Sequence, residues 1–355
     1  MALIAEAVAS RKVRDQRDVV LHGPMSLAQG LAVALCCAML AMDGYDILAV
    51  TFAMPGINVE WGTSKTVLGA LFSTCIIGMA TGCLILGPWA DKVGRRPTAI
   101  GSLVLMTIGM SFSAVAINIA QLMFWRLCTG AGIGALASVA YPLSVEYSSL
   151  KARPVTLALM VISFPLGGAV IGAIAAHLMA VFGWRAAFLP GIGLPLVITL
   201  LCIRWLPEPL GLLIERPKRS SLRLVNHYLK RIGLPLVDSL PPPSAHSDRT
   251  PVRRVLGKEF LPVTGHLAPL YCLYALTAYF LLAWLPQMVT DLGFPPSVGT
   301  TVSIAASIGG VVGASLTGLA IRRIGLFPVL FSLLLGRKRP PKSPLSATGQ
   351  VERYA

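Results

Sequence analysis

The amino-acid sequence predicts an all-α polytopic membrane protein, and three observations carry that prediction. Apolar runs recur at close to the ~20 residues that a helix needs to cross a hydrocarbon core of about 30 Å. Hydrophobic residues make up 55% of the 355-residue chain and charged residues only 13%; the mean hydropathy of +0.73 lies outside the balance of water-soluble domains. No run alternates polar and apolar residues with period two, so the spans are helices and not the strands of a barrel.

Taken in order, residues 1–25 form a mixed, charged segment without an apolar stretch followed by a small-residue cleavage site, so no cleaved signal peptide is expected. The apolar runs then predict helices near Ser26–Ala53, Thr66–Ala90, Pro97–Ile117, Gln121–Pro142, Val155–Phe182 and Arg185–Leu206. Together they make an N-terminal six-helix bundle over 26–206. A polar loop rich in Pro, Arg and Lys occupies 207–263, and two further helices follow near Gly265–Thr290 and Val298–Ile321. The next apolar run, Leu326–Gly336, is too short to span; it closes a partial C-terminal bundle over 264–336 and is followed by a basic tail over 337–355.

Positive charge sets the expected orientation. Arg11, Lys12, Arg14 and Arg17 precede the first span, "DKVGRR" follows the second, and Lys151 and Arg153 follow the fourth. These segments and the long central loop belong on the cytoplasmic side. "PGINVEWGTSK", "NIA" and "FGWR" are poor in Lys and Arg and belong outside. The net charge of +15 is thereby explained by loops at a membrane, and nucleic acid is not an expected partner. The seven cysteines all fall in apolar runs without CxxC spacing, so they read as packing residues, with neither a disulfide frame nor a metal site.

The two halves repeat. Subtracting 94 from 325 gives an offset of 231, and that shift pairs Gly94 with Gly325, Gly78 with Gly309, Gly82 with Gly313, Gly87 with Gly318, Pro55 with Pro286, Gly62 with Gly293 and Pro97 with Pro328. The seventh helix is therefore expected to copy the first, and the eighth the second, in the manner of transporters built from parallel repeats. The same shift predicts a twelfth helix ending near position 437, whereas the sequence stops at Ala355. A truncated second half is the expectation, and with it poor or absent transport by this chain alone.

Three motifs carry charged residues that bear on function, two of them inside spans. "DGYD" puts Asp43 and Asp46 three residues apart, on one helix face, inside the first span. Exposed to lipid, two aspartates would cost roughly 6 kcal/mol, so a shared wet cavity between the halves is expected around them. Arg126 lies deep in the fourth span, in "RLCTGAGIGA", where a lone arginine costs roughly 2.5–3.5 kcal/mol. The two aspartates are available partners, and Gly130, Gly132 and Gly134 let neighbouring backbones approach. Desolvation disfavours a charged carboxylate and a nearby arginine favours it, so such a site can take up and release protons as its surroundings alternate. The third motif, "GPWADKVGRRP" from Gly87 to Pro97, joins the second and third spans. There Gly87 permits close helix approach, Asp91 can accept hydrogen bonds at the start of the next helix, and Arg95 and Arg96 can pair with acids or lipid phosphates.

This last segment resembles the GxxxDxxGRR loop of the major facilitator superfamily, and "RLCTGAGIGA" is similar to that superfamily's RxxxGxG pattern. In the second half, "GLAIRRIG" departs from the loop signature by placing Arg322 where Asp91 would stand. "DGYD", "YPLSVEYSSLKAR" after the fourth span and "YFLLAWLPQMVTDLGF" in the seventh resemble the aromatic acid/proton symporter family of the same superfamily. The resemblance covers about Leu31 to Gly325 and implies a major facilitator fold. It also implies proton-driven uptake of aromatic carboxylates such as hydroxybenzoates in a bacterial inner membrane, with no cofactor beyond the proton gradient.

The resemblance maps essential aspartates onto Asp43 and Asp46, loop residues onto Gly87, Asp91, Gly94, Arg95 and Arg96, and the membrane arginine onto Arg126. The fourth-helix acid maps onto Glu146, which lies near Lys151 and Arg153 and reads equally well as a loop salt bridge. Tyr45, Tyr279 and Trp284 are candidates for stacking on an aromatic substrate, although aromatic residues in spans more often pack or anchor. The fifth span lacks the GPxxGG pattern of proton antiporters, which favours symport, and His177 reads as a packed or interfacial residue. No HExxH, GxSxG, zinc-spaced cluster or phosphate-cradling loop is present, so an enzyme is not expected. Alternatives to aromatic acid uptake are a non-transporting membrane protein and a carrier of another small organic acid.

Overall fold

A computed structural model describes residues 22–209, 221–231 and 261–325, together with positions 213, 235–237, 240, 257 and 328. The expected short apolar run over 326–336 and the basic tail over 337–355 lie, apart from position 328, outside the described residues. Every regular element among the described residues is helical: α1 (Leu27–Trp61), α2 (Lys65–Val93), α3 (Arg95–Ala114), α4 (Ile119–Tyr147), α5 (Arg153–Phe182), a 3-10 turn (Trp184–Phe188), α6 (Pro190–Trp205), α7 (Ser221–Arg231), α8 (Leu261–Asp291) and α9 (Pro296–Ile324). Eight of them are long and apolar enough to cross a membrane, with the 3-10 turn and α6 counted as one span.

The helix ends follow local chemistry. Ser26 caps α1 through a reciprocal pair with Gln29, Ser64 caps α2, and Asn118 caps α4, each side chain accepting from a backbone N–H that the first turn leaves unpaired. The connection read as "PGINVEWGTSK" is mostly helix. α1 continues through Pro55 to Trp61 and stops at Gly62 in the left-handed region (φ 60°). Proline inside the span is tolerated because Pro55 and its neighbours are buried against other helices.

The first six spans form one packed body. α2 packs on α4, α1 on α5, and α3 on both α4 and α6. Small residues bring α2 and α4 together: a Cβ at Gly78 or Gly82 would meet the α4 backbone at Leu127 and Ala131, and one at Gly130 or Gly134 would meet the α2 backbone at Cys75 and Met79. In a bilayer such close approach gains dispersion energy and not hydrophobic energy, since lipid tails are as apolar as the side chains. The outward faces remain apolar, as at Leu84, Ile85, Val170, Ile174, Leu196 and Leu200. α1 lies centrally, with 78% of its spanning window buried.

The repeat offset of 231 carries Lys65–Val93 onto Pro296–Ile324, so α9 coincides with a shifted α2. It also carries Gly62 and Gly94 onto Gly293 and Gly325, and all four have positive φ. The chain divides into two compact units, residues 1–311 and 312–355. Within the first unit, α8 and the start of α9 touch the six-helix bundle near the Gly62 end: Trp284 lies over Gly69, and Ile304 and Ser307 lie beside Gly172 and Gly168. The opposite end of α8, from Leu267 to Leu276, is exposed.

Candidate functional site

Gly44 decides how "DGYD" is used. A Cβ there would fall on the backbone carbonyl of Phe164, so α1 and α5 meet backbone to backbone at this position. That contact fixes the rotation of α1 and sends the residues around Gly44 in different directions. Tyr45 is fully buried, and its hydroxyl donates to the carbonyl of Ala187 in the 3-10 turn. It therefore packs inside the bundle and is not placed to stack on a substrate.

Asp43 and Asp46 are both buried within the bundle. Asp46 is 0% exposed and turns toward α6, where a Cβ at Gly191 would stand 3.1 Å from its Oδ1. Arg126 and Asp43 lie within its electrostatic reach. Asp43, three residues earlier on α1, is 5% exposed. The Oδ1 of Asp43 and both carboxylate oxygens of Asp46 make no hydrogen bond among the described residues. A three-residue separation turns the helix through about 300° and so leaves the two side chains about 60° apart, on one broad face that more than one neighbouring helix can cover.

Arg126 is also 0% exposed, yet it forms no ion pair among the described residues, which corrects the expectation of a carboxylate partner. Its Nη2 donates to the backbone carbonyl of Asp46 at 2.8 Å and contacts Cys75 Sγ at 3.3 Å. Its Nη1 contacts Met110 Sδ at 3.2 Å, and the guanidinium lies 6.0 Å from the Phe188 ring centre. Arg126 thus joins α1, α2, α3 and α4 while its charge offsets that of the Asp46 carboxyl nearby.

The second cluster surrounds Gly94. The expected loop from Gly87 to Pro97 is almost entirely helical: α2 runs to Val93, α3 begins at Arg95, and Gly94 alone breaks the helix with φ 126° and ψ 150°, a conformation open mainly to glycine. Gly87 lies inside α2 opposite Ser138 of α4. Arg95 pairs with Glu146 at the end of α4, so Glu146 serves this junction, whereas Lys151 and Arg153 were the expected neighbours. Arg96 donates to the carbonyl of Ile203 at 2.7 Å. The side chain of Asp91 lies outside the described residues.

Glu208, which no sequence motif singled out, accepts the Arg95 backbone N–H at 2.9 Å. Tyr147 donates to the carbonyl of Pro207, and Gln29 donates to the carbonyl of Tyr147 at 3.0 Å. The segment after α6 is therefore strapped across the Gly94 end of the bundle. The signal for it was present as an acid between two prolines, "LPEP", directly after a span.

Of the remaining candidates, Tyr279 is half-buried against the bundle and Trp284 lies with its ring edge over Gly69, 3.3 Å from where a Cβ would stand. Among the described residues no group of three His, Cys, Asp or Glu side chains is arranged to hold a metal ion.

Comparison with known proteins agrees with this architecture. The family model described as Major Facilitator Superfamily matches residues 33–336. A 4-hydroxybenzoate transporter of Pseudomonas putida is 31% identical over 333 residues, covering 92% of this chain and 74% of the relative. A gallate transporter of Pseudomonas putida is 28% identical, covering 87% and 69%, and a 3-(3-hydroxy-phenyl)propionate transporter of Escherichia coli is 29% identical, covering 86% and 68%. Among solved structures, the xylose transporter of Escherichia coli in a partially occluded inward-open conformation superposes with a TM-score of 0.63 at 13% identity, over 84% of this chain and 74% of that one. This multi-pass membrane chain belongs to the Major Facilitator Superfamily, a superfamily of transporters and not of enzymes.

Proposed function

We propose that the protein takes up aromatic carboxylates of the hydroxybenzoate class, coupled to protons, across a bacterial inner membrane with its N-terminus in the cytoplasm. Asp43 and Asp46 are the proton-exchanging groups, Arg126 holds the compartment around Asp46, and the Gly94 junction of Arg95, Arg96 and Glu146 helps to seal one end of the bundle. The proton gradient is the only energy source required, and no cofactor is invoked.

One observation carries this reading: two carboxyl groups are buried in the central helix α1 with three of their oxygens lacking any hydrogen-bond partner among the described residues. Keeping such groups inside a membrane is costly, and their presence marks a functional pathway. Removing a carboxyl from water makes its two protonation states differ strongly in free energy, so opening and closing a cavity around it can load and release a proton. The names of the relatives supply the substrate class, since each of the three is described as a transporter of a hydroxylated aromatic acid.

The test is accumulation of labelled 4-hydroxybenzoate by cells expressing the full chain: the sequence-based expectation of poor transport and this proposal forecast opposite results, and a wild type that accumulates nothing above background would refute uptake by these residues. Uptake is expected to fall to background when an uncoupler collapses the gradient and again in Asp46→Asn. Uptake that survives both treatments unchanged would refute proton coupling through this site.

A further inference from the structure

The segment that follows the Glu208 strap carries a charge imbalance for which transport has no use. Between Arg216 and Val237 the sequence holds six Lys and Arg residues and no Asp or Glu. Its helix is α7, whose Val225 and Leu229 are buried with Leu213 and Val237 in a small apolar cluster of their own. The side-chain amide of Asn226 fixes the returning chain, donating to the carbonyl of Val237 at 2.8 Å and accepting its N–H at 2.9 Å.

At about 100° of rotation per residue, Arg223, His227 and Lys230 fall within an arc of about 60° on the side of α7 away from that cluster. All three are exposed. Leu224, 42% exposed, flanks the arc, and Leu236, 56% exposed, directly precedes Val237. Basic groups edged by uncovered leucines are the composition of a helix that lies in the surface of a bilayer.

A short tether keeps α7 near such a surface. Glu208 accepts the Arg95 N–H at the α2–α3 junction, and the Leu213 N–H donates to the carbonyl of Pro209 at 3.3 Å. Leu213 follows Glu208 by five residues, so it lies no more than about 18 Å away. The same end of the bundle carries exposed Trp89 and Lys92 in the last turns of α2 and exposed Arg204 and Trp205 at the close of α6. Tryptophan beside basic residues marks the level of the lipid headgroups.

We propose that the face of α7 formed by Arg223, His227 and Lys230 binds the phosphates of anionic phospholipids, with Leu224 and Leu236 entering the headgroup layer. Arg223 and Lys230 supply charge, and His227 supplies a further N–H donor. The leucines favour lipid over free phosphate, which would leave them in water. α7 binds lipid in this way whether or not the chain carries an aromatic acid.

The experiment follows modification of Leu224→Cys in the full chain by an uncharged polyethylene glycol maleimide, with the rate of the parent chain subtracted. The chain is held in nanodiscs of phosphatidylcholine alone or with about 30% phosphatidylglycerol. At about 0.1 M salt, where screening acts over about 10 Å, the anionic bilayer should slow the reaction about fivefold or more. Raising the salt to about 1 M shortens that length to about 3 Å and should abolish the difference. Arg223→Glu combined with Lys230→Glu should abolish it too. Equal rates in the two bilayers at low salt, or protection that survives both high salt and charge reversal, would overturn the assignment. Inorganic phosphate added to the phosphatidylcholine nanodiscs should not protect the cysteine; protection equal to that by phosphatidylglycerol would give this face to free phosphate and refute a lipid site. Should the charge-reversed chain fail to fold, the salt series on Leu224→Cys decides the matter.

Discussion

Tyr45 and Asp46 are adjacent in the chain and both are fully buried, yet only one has a satisfied polar group. The Tyr45 hydroxyl ties α1 to the turn before α6, which makes it part of the scaffold. Tyr45→Phe is expected to lower stability by about 1 kcal/mol, the net value of a typical hydrogen bond, measured by thermal unfolding in detergent, with 4-hydroxybenzoate affinity unchanged. Gly44→Ala should cost more, about 1–3 kcal/mol, because the new methyl falls on the Phe164 carbonyl; failure of that variant to lose stability would mean that α1 and α5 are not in backbone contact. The identity of these four residues was legible from their position in an apolar run. Their division of labour was not, because side-chain direction depends on the rotation of α1, which Gly44 sets through its contact with α5.

At the scale of elements, the α2–α3 junction shows how little chain is needed for a turn. Gly94 is its only non-helical residue, and two carboxylates from distant segments hold Arg95: Glu146 takes the guanidinium and Glu208 the backbone N–H. A double-mutant cycle on Arg95→Ala and Glu146→Ala is expected to give a coupling of about 1 kcal/mol, at the upper end for a partly exposed pair. Gly94→Ala should destabilise by about 1–3 kcal/mol, the strain of holding a residue with a Cβ at φ 126°. Both are read from unfolding curves. The GxxxDxxGRR resemblance indicated the junction but suggested a loop, since Gly and Pro at its ends mark turns in isolated sequence. Packing of α2 against α4 carries the helix through Gly87 and Pro88. The part played by Glu208 had no short-range signature, because its partner lies 113 residues away.

Across the whole bundle, one ion pair ties α8 to α2. Lys65 opens α2 and Asp291 closes α8, so each charge opposes the dipole of its own helix, and each is compensated by the other at 2.6 Å. Gln287 adds a hydrogen bond to Asp291 at 3.0 Å. Asp291→Asn should loosen this end of the bundle, and a cysteine placed at Gly69, beneath Trp284, should react several-fold faster with a water-soluble maleimide in that background; equal rates would show that the pair does not hold the contact closed. The membrane class, the span number, the repeat offset and the charged motifs followed from the sequence alone, because composition, run length and glycine spacing are local properties that a bilayer translates directly into helices. Which aspartate meets Arg126, that the arginine bonds a backbone carbonyl and not a carboxylate, and that the Tyr45 hydroxyl reaches the turn before α6 were decided by tertiary structure, since each depends on how far neighbouring helices rotate and approach before their backbones touch.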